Sequence, residues 1–314
     1  MFLPAWLDTK YYMLFENAPK LVWSQGTFLL QKLIPSIYST GYLQMINNNY
    51  FGGYVPSPNT GLFADAYMNF GIIGTNFISD WFVNAGRHCE GFCVQAVYSR
   101  TMEKGRTFAD KHGIPDCYDS LEALASADNV DAVYIASPTA CHAAQSIQML
   151  NAGKHVLCEK PVASNEKELQ AMLAAAKEHG VVFMEAMKLV INPAFDAIME
   201  NLPKLGKIRR VTFQMCQYSS RYDKFKNGII ENAFRPELSN GSLMDIGVYC
   251  VHPMVKILGK PDRVMASCVK LHNGVDGMGT ILASYDEQGA QAELIYSKIT
   301  DSPVPSQIQG EDGT

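Results

Sequence analysis

Residues 155–161, His-Val-Leu-Cys-Glu-Lys-Pro, join a short apolar run to an acid, an amine and a proline. The run Val156 to Cys158 has the character of a strand that is buried on both faces in a parallel sheet. Pro161 has no amide hydrogen and a fixed φ, so it ends the strand's hydrogen bonding. Ligands of open α/β sheets bind beyond the carboxyl ends of the strands. Lys160 is therefore predicted at the mouth of a ligand crevice, although most lysines at strand ends are simply solvated.

A glycine turn follows the first clear strand, Asn69 to Ile73, and opens a helix that runs to about Gly86. A dinucleotide-binding fingerprint would have glycine where Asn76 stands, and glycine or alanine at Ser79. Asparagine tolerates left-handed backbone angles, and serine is small. The turn is a weak fingerprint, but it still aims helix-terminal amides at a pyrophosphate. The candidate cofactor-binding residues here are Gly74, Thr75, Asn76, Phe77 and Ile78.

Further cofactor candidates stand at the ends of later strands. Ser99 and Arg100 end the strand 92–98, where a hydroxyl followed by a guanidinium suits the 2′-phosphate of NADP better than the bare ribose of NAD. A surface arginine is the alternative. Ser137, Pro138 and His142 open the helix after the strand 132–136, where the nicotinamide half would pass, although a lone histidine is usually structural. Glu159 and Lys160 complete the set.

Asp245 and Tyr249 form the second stretch that could do chemistry. They are four residues apart, so they share a face if the segment is helical. Hydride transfer needs an acid–base group at the substrate oxygen, and a nearby ammonium stabilises a developing alkoxide. We predict Tyr249 as proton donor or acceptor, Lys160 as its electrostatic partner and Asp245 as the anchor of a substrate hydroxyl. Lys160 is the alternative proton carrier, and no metal is needed.

The elements that must position these residues divide the chain into three parts. Residues 68–190 alternate strands and helices, which predicts a doubly wound parallel sheet, α/β in class. Residues 191–314 begin with a helix and continue with long alternating strands, which predicts an α+β domain with an open antiparallel sheet. Residues 1–67 carry only six charged residues. They are interpreted as an accessory element, a disordered extension or non-native sequence upstream of the true start.

Composition excludes several classes of function. The chain has 314 residues, 47% apolar and 18% charged, with a formal net charge of -5, so it shows no basic footprint for nucleic acid or anionic lipid. Its eight cysteines contain no CxxC pair, which fits a reducing compartment and no metal site. No signal peptide or span of about 20 apolar residues is evident. We therefore expect a cytoplasmic protein without nucleic-acid or membrane partners.

Four motifs, in order, resemble the glucose–fructose oxidoreductase and inositol dehydrogenase (Gfo/Idh/MocA) family. They are Gly71-Ile72-Ile73-Gly74, Ser99-Arg100, Glu159-Lys160-Pro161 and Asp245-x-Gly247-x-Tyr249. The resemblance implies a Rossmann domain, an open antiparallel sheet domain and NAD or NADP between them. It also implies oxidation or reduction of a hydroxyl or carbonyl on a sugar, cyclitol or dihydrodiol. The family's lysine maps onto Lys160, and its Asp-x-x-x-His/Tyr helix maps onto Asp245 and Tyr249.

The resemblance also shapes the remaining expectations. NADP is preferred over NAD because of Arg100, and a homodimer through the open sheet face is possible, as is common in the family. Family members normally add further strands after the position of Thr314, so the second sheet is expected to be truncated at its carboxyl end. The alternatives are a non-catalytic NAD(P)-binding regulator of the same fold and an inactive fragment.

Overall fold

The first part of the fold alternates strands and helices. The computed structural model describes residues 68–89 and 91–314, so the expectations for 1–67 lie outside the described residues. The strands are β1 (Met68–Ile73), β2 (Phe92–Tyr98), β3 (Asp116–Tyr118), β4 (Ala132–Ile135), β5 (His155–Cys158) and β6 (Phe183–Glu185). The helices are α1 (Phe77–Gly86), α2 (Met102–His112), α3 (Leu121–Ala125), α4 (Thr139–Asn151) and α5 (Glu166–His179).

These six strands form one parallel sheet in the order β3-β2-β1-β4-β5-β6. The strand order reverses between β1 and β4, which creates a crevice at the carboxyl ends of the two strands. All four residues of β4 are buried, as expected for a central strand with helices on both faces. The predicted doubly wound α/β class is confirmed. Only the three-residue β3 was missed, because its sequence is too short for a pattern.

The second part forms a sheet with one helical face. After α6 (Pro193–Asn201), its elements are β7 (Ile208–Cys216), α7 (Tyr222–Lys226), α8 (Val248–Leu258), β8 (Arg263–Lys270), β9 (Asp276–Tyr285), β10 (Ala290–Ser297) and β11 (Gln307–Gly310). The sheet order is β11-β7-β10-β9-β8. Helix α8 packs on it through Cys250 and Met254, against residues such as Ile281 and Leu294. The predicted second α+β domain is present, and the exact boundary at residue 190 stays a prediction.

The second sheet is mixed rather than wholly antiparallel. Strands β7 and β10 run parallel, whereas the other three pairings are antiparallel. Alternation of apolar residues identifies strands but carries no information on the direction of a neighbour, so this pairing escaped prediction. The face opposite α8 is open, with Met265, Val269 and Leu282 at its surface. The homodimer that the resemblance implies through this face stays a prediction.

Within 68–89 and 91–314, no helix is both long enough and apolar enough to cross a membrane.

Candidate active site

Lys160 stands where the sequence predicts, just beyond the carboxyl end of β5. The strand's last ladder bond is donated by the Glu159 amide to the Ile135 carbonyl at 2.8 Å. The Lys160–Pro161 peptide is cis. The Lys160 ammonium donates to the Asp245 backbone carbonyl at 2.8 Å and to the Asp245 Oδ1 at 3.1 Å. Lys160 therefore reaches across the crevice to the second domain.

Asp245 lies in a π-helical turn, Leu243–Gly247, which leads directly into α8. The start of this turn is held by Asp276, whose Oδ2 accepts a hydrogen bond from the Leu243 amide at 2.7 Å. Tyr249 is in the first turn of α8, and its ring centroid is 4.9 Å from the Lys160 ammonium. π-turns are frequent at functional sites. The structure thus brings together the three residues predicted to be catalytic.

Lys298 is a fourth member of this cluster, and sequence reasoning missed it. It directly follows β10, and its ammonium lies 2.5 Å from the Asp245 Oδ2. The Lys298 side chain is only 4% exposed. The alternation of side chains along β10 could have located it. The buried residues are Ala290, Ala292, Leu294 and Tyr296, and the same alternation places position 298 on their face of the sheet.

The Asp245 carboxylate is held between two ammonium groups, and its electrostatics follow from that position. Burial raises its pKa, but Lys160 and Lys298 outweigh this effect and lower the pKa of Asp245 to about 2. For Lys160, burial alone would lower the pKa, but Asp245 and Tyr249 produce a net increase. For Lys298, burial is the largest influence and lowers the pKa, and Arg221 and Lys160 also repel its ammonium. At neutral pH Asp245 is therefore an ionised carboxylate, and its two oxygens contact the Lys160 and Lys298 side chains.

Glu159 is engaged by the protein rather than pointing freely into the crevice. One oxygen accepts from the Tyr134 hydroxyl at 2.6 Å, and the other accepts from the Lys160 amide at 3.2 Å. Burial raises the pKa of Glu159. These bonds fix the backbone that carries Lys160, so the structure favours a supporting position for Glu159.

The turn after β1 keeps the geometry of a dinucleotide cradle. Gly74 has a φ of +111°, and an added Cβ would lie 2.8 Å from the Ala136 carbonyl oxygen. Asn76, by contrast, is extended, with φ −98° and ψ 178°, so tolerance of left-handed angles is not the reason for asparagine here. Its Oδ1 accepts from the Ile78 amide at 3.0 Å and caps α1, and its Nδ2 donates to the Ala136 carbonyl at 2.7 Å. Asn76 thus fastens the turn to the end of β4, while Thr75 and Phe77 flank it.

Replacing Gly74 with alanine is expected to damage this cradle. A methyl group would press on the Ala136 carbonyl and force a non-glycine residue into positive φ, so the free energy of unfolding should fall by about 1–3 kcal/mol. NADPH affinity should fall as well. Urea unfolding and a fluorescence titration measure the two effects.

Gly113→Ala is the matched control for that substitution. Gly113 has a φ of +68°, and an added Cβ there meets nothing within 4 Å. A cost of about 1 kcal/mol with unchanged NADPH affinity is expected for Gly113→Ala. If Gly74→Ala leaves both the free energy of unfolding and the NADPH affinity unchanged, the assignment of this turn as the dinucleotide cradle is wrong.

Some of the other predicted cofactor residues are free to contact a ligand, whereas others are bound to groups of the protein itself. Ser99 is buried at the end of β2, and Arg100 next to it is exposed. Arg100 forms no ion pair with any residue in 68–89 or 91–314, so its guanidinium is available. His142 is buried, and its ring nitrogens lie 2.9 Å from the Pro161 and Ser137 carbonyl oxygens. His142 therefore braces the Ser137–Pro138 turn against the Lys160 segment and is oriented by the protein, not toward a ligand.

Among residues 68–89 and 91–314, no three or more His, Cys, Asp or Glu residues are grouped so that they could hold a metal ion.

The parallel sheet, the glycine cradle and the lysine–carboxylate–tyrosine cluster define a dinucleotide-dependent oxidoreductase. Residues 68–187 match the family described as "Oxidoreductase family, NAD-binding Rossmann fold" (GFO_IDH_MocA). Residues 203–314 match the "GFO/IDH/MocA C-terminal domain". The chain therefore belongs to the GFO_IDH_MocA oxidoreductase family, as its motifs predicted.

Three similar proteins illustrate the family. The scyllo-inositol 2-dehydrogenase (NADP(+)) IolU of Bacillus subtilis is 52% identical over 247 residues, which cover 79% of this chain and 75% of that protein. The trans-1,2-dihydrobenzene-1,2-diol dehydrogenase of Danio rerio is 34% identical over 253 residues, covering 79% and 73%. The crystal structure of KijD10, a 3-ketoreductase from Actinomadura kijaniata in complex with NADP and TDP-benzene, superposes with a TM-score of 0.70. The two chains are 25% identical, and the match covers 78% of this chain and 74% of that one.

Proposed function

We propose that this protein is an NADP-dependent dehydrogenase or reductase that acts on a hydroxyl or carbonyl group of a cyclitol, sugar or dihydrodiol. The observation that carries the proposal is the convergence of Lys160, Asp245 and Tyr249 on one another. They meet beside the crevice where the strand order of the Rossmann sheet reverses. A non-catalytic regulator would have no need to keep all three groups in contact.

The cofactor proposal rests on the two ends of the crevice. Gly74 adds no side chain of its own to the cradle, and Asn76 holds the turn at the end of β4. The exposed guanidinium of Arg100 would pair with a 2′-phosphate, which favours NADP over NAD. When bound, the nicotinamide supplies or accepts the hydride. The IolU relative, whose name specifies NADP(+), is consistent with this preference.

The residues of the cluster then divide the proton chemistry. Among the described residues, none hydrogen-bonds to the Tyr249 hydroxyl, so we assign it the proton exchange with the substrate oxygen. The increased pKa of Lys160 keeps this side chain an ammonium at neutral pH, where it stabilises a developing alkoxide. The alternative proton carrier is Lys160. A pH profile of Tyr249→Phe, in which a Lys160-driven reaction would survive, separates the two roles.

Asp245 receives a different assignment from the expected substrate-hydroxyl anchor. Both of its carboxylate oxygens already accept from ammonium groups, one from Lys160 and one from Lys298. We therefore assign Asp245 to the orientation of Lys160. The substrate class follows from the relatives, among which polyol and sugar-like substrates recur, and scyllo-inositol is the first compound to test.

Replacing Arg100 with alanine tests the cofactor site. Loss of a charge-assisted contact to the 2′-phosphate should weaken NADPH binding about 10- to 100-fold and leave NADH binding unchanged. Thermal melts of the full chain with NADPH, with NADH and without cofactor measure this, followed by an NADP-linked scyllo-inositol oxidation assay.

Arg87→Ala serves as the control for that variant. The Arg87 guanidinium donates to the His112 carbonyl at the opposite end of α1, far from the cradle. It should leave both cofactor responses unchanged. An equal response of the Arg100→Ala variant and the original chain to NADPH would contradict the NADP assignment. No response of the original chain to either cofactor would contradict the proposed function as a whole.

A further inference from the structure

Lys298 is a buried ammonium that the chemistry assigned above does not use. Besides the Asp245 carboxylate, it donates to the Ala233 carbonyl at 3.2 Å, and it lies 4.9 Å from the centroid of the Phe234 ring. Burying an ammonium is costly unless its partners compensate for lost hydration. Lys298 is enclosed and contacts the oxygen of the active-site carboxylate that Lys160 does not contact. Its burial is therefore better explained by a role in the active site than by general stability.

The geometry around the carboxylate suggests that reason. Lys160 binds Oδ1 and Lys298 binds Oδ2, so the two lysines approach the same carboxylate through different oxygens. Lys298 belongs to the second domain and Lys160 to the first. A carboxylate with one oxygen fixed by Lys298 has little freedom to rotate, so its other oxygen holds the Lys160 ammonium in one place.

We propose that Lys298 is a positioning residue of the active site, which fixes the Asp245 carboxylate and, through its charge, sets the pH range in which Lys160 works. The inference rests on the proposed oxidoreductase function. Lys298 touches neither substrate nor cofactor in this assignment and acts through Asp245.

The charges around Lys298 determine the direction of the effect. Asp245 and Lys160 face it from the π-turn and from the end of β5, and Arg221 faces it from the start of α7. Asp276 on β9 is a second carboxylate that senses its charge. Arg221 is itself paired with Glu231 at 3.5 Å. Lys298 is thus the cation in direct contact with the face of Asp245 that Lys160 leaves open.

Removing this positive charge should raise the proton affinity of both Asp245 and Lys160. Asp245 would lose one of the two cations that stabilise its ionised form, and Lys160 would lose a neighbour that repels its ammonium. If the ionisation of Asp245 or of Lys160 determines one side of the pH profile of activity, that side therefore moves to higher pH. A role limited to packing would reduce activity or stability without moving the profile.

The first test compares pH profiles of kcat/KM for NADP-linked polyol oxidation by the full chain. Lys298→Met should move the profile about one unit to higher pH. Lys298→Arg keeps the charge and should hold the profile where it is, even if kcat falls. If Lys298→Met does not fold, Lys298→Gln removes the charge while retaining a hydrogen-bond donor.

Lys154→Met is the matched control, since the Lys154 ammonium is partly buried but, within 68–89 and 91–314, donates only to the Ala127 and Val130 carbonyls, at 2.8 Å each. It should lower stability and leave the profile in place. Movement of the profile in Lys154→Met, or an unmoved profile in folded Lys298→Met, would overturn the proposal.

A second measurement is independent of substrate turnover. Competitive acetylation with acetic anhydride, read by mass spectrometry with and without NADPH, reports the pH at which Lys160 loses its proton. The midpoint should rise in Lys298→Met and stay constant in Lys298→Arg and Lys154→Met. A raised midpoint in a chain that oxidises no polyol would contradict the proposed function but support the role of Lys298. An unchanged midpoint in folded Lys298→Met would overturn that role even in an active enzyme.

Discussion

Replacing Lys160 with methionine is expected to lower kcat by about 10²- to 10³-fold, the usual cost of removing one preorganised electrostatic group from an active site. Methionine keeps much of the side chain's volume, so packing at the end of β5 should survive. The variant loses the ammonium that contacts the Asp245 carboxylate and lies 4.9 Å from the Tyr249 ring centroid. Steady-state kinetics with scyllo-inositol and NADP measure kcat, and a fluorescence titration measures NADPH binding.

The effect should be confined to the chemical step. In this proposal Arg100 and the Gly74 cradle bind the cofactor's phosphates. NADPH affinity should therefore change by less than about tenfold, which corresponds to the loss of one hydrogen bond. Lys154→Met removes an ammonium of similar burial outside the site and should retain kcat. Loss of NADPH binding together with activity in Lys160→Met would mean that the lysine mainly holds the cofactor. Full activity in that variant would remove Lys160 from the mechanism.

The position of Lys160 was predictable because it depends on local sequence and on a general property of parallel sheets. The apolar strand before Lys160 has to be buried, and the carboxyl ends of such strands meet at one edge. Helix periodicity, which is also local, predicted that Asp245 and Tyr249 would share one side of a helical segment. Contact between the Lys160 and Asp245 side chains, which are 85 residues apart, was not predicted.

The roles of other side chains were not predictable, because they depend on three-dimensional partners. Asn76 stands where a fingerprint has glycine, yet its backbone is extended and its amide bonds to Ala136, 60 residues away. His142 is in the helix turn that was expected, but both of its ring nitrogens contact backbone carbonyl oxygens. A sequence pattern locates such residues on an element and gives no information on which groups they meet.

Lys298 and the parallel pairing of β7 with β10 share a common cause. Both depend on how the second sheet is assembled from strands far apart in sequence, and Lys298 lies 53 residues from its carboxylate partner. Strand alternation does place position 298 on the buried face. Recognising that a lysine on such a face requires a buried acid would have pointed to Asp245 or Asp276, without deciding between them.

Asp245→Asn is expected to lower the free energy of unfolding by about 2–3 kcal/mol at pH 7, because it leaves two enclosed ammonium groups without a counter-charge. The decrease in the pKa of Asp245 from 3.8 to about 2 in the folded chain sets this magnitude. Asparagine is nearly isosteric, so the loss reports charge rather than volume. Activity should fall as well, since the Lys160 ammonium loses the group that orients it. Urea unfolding followed by circular dichroism measures the stability.

The pH dependence of that difference separates charge from packing. A carboxyl whose pKa is lower in the folded state stabilises the fold above its unfolded pKa, and this contribution disappears as pH falls through the folded value. The gap between the original chain and Asp245→Asn should therefore be constant from pH 7 to about 5 and shrink between about pH 4 and 2. Asp223→Asn is the control, because Asp223 pairs with Lys226 at 2.7 Å but is exposed, and such pairs contribute little. A gap that persists unchanged at pH 3 would mean that Asp245 stabilises the chain through its shape, and the two-lysine account of the site would fail with it.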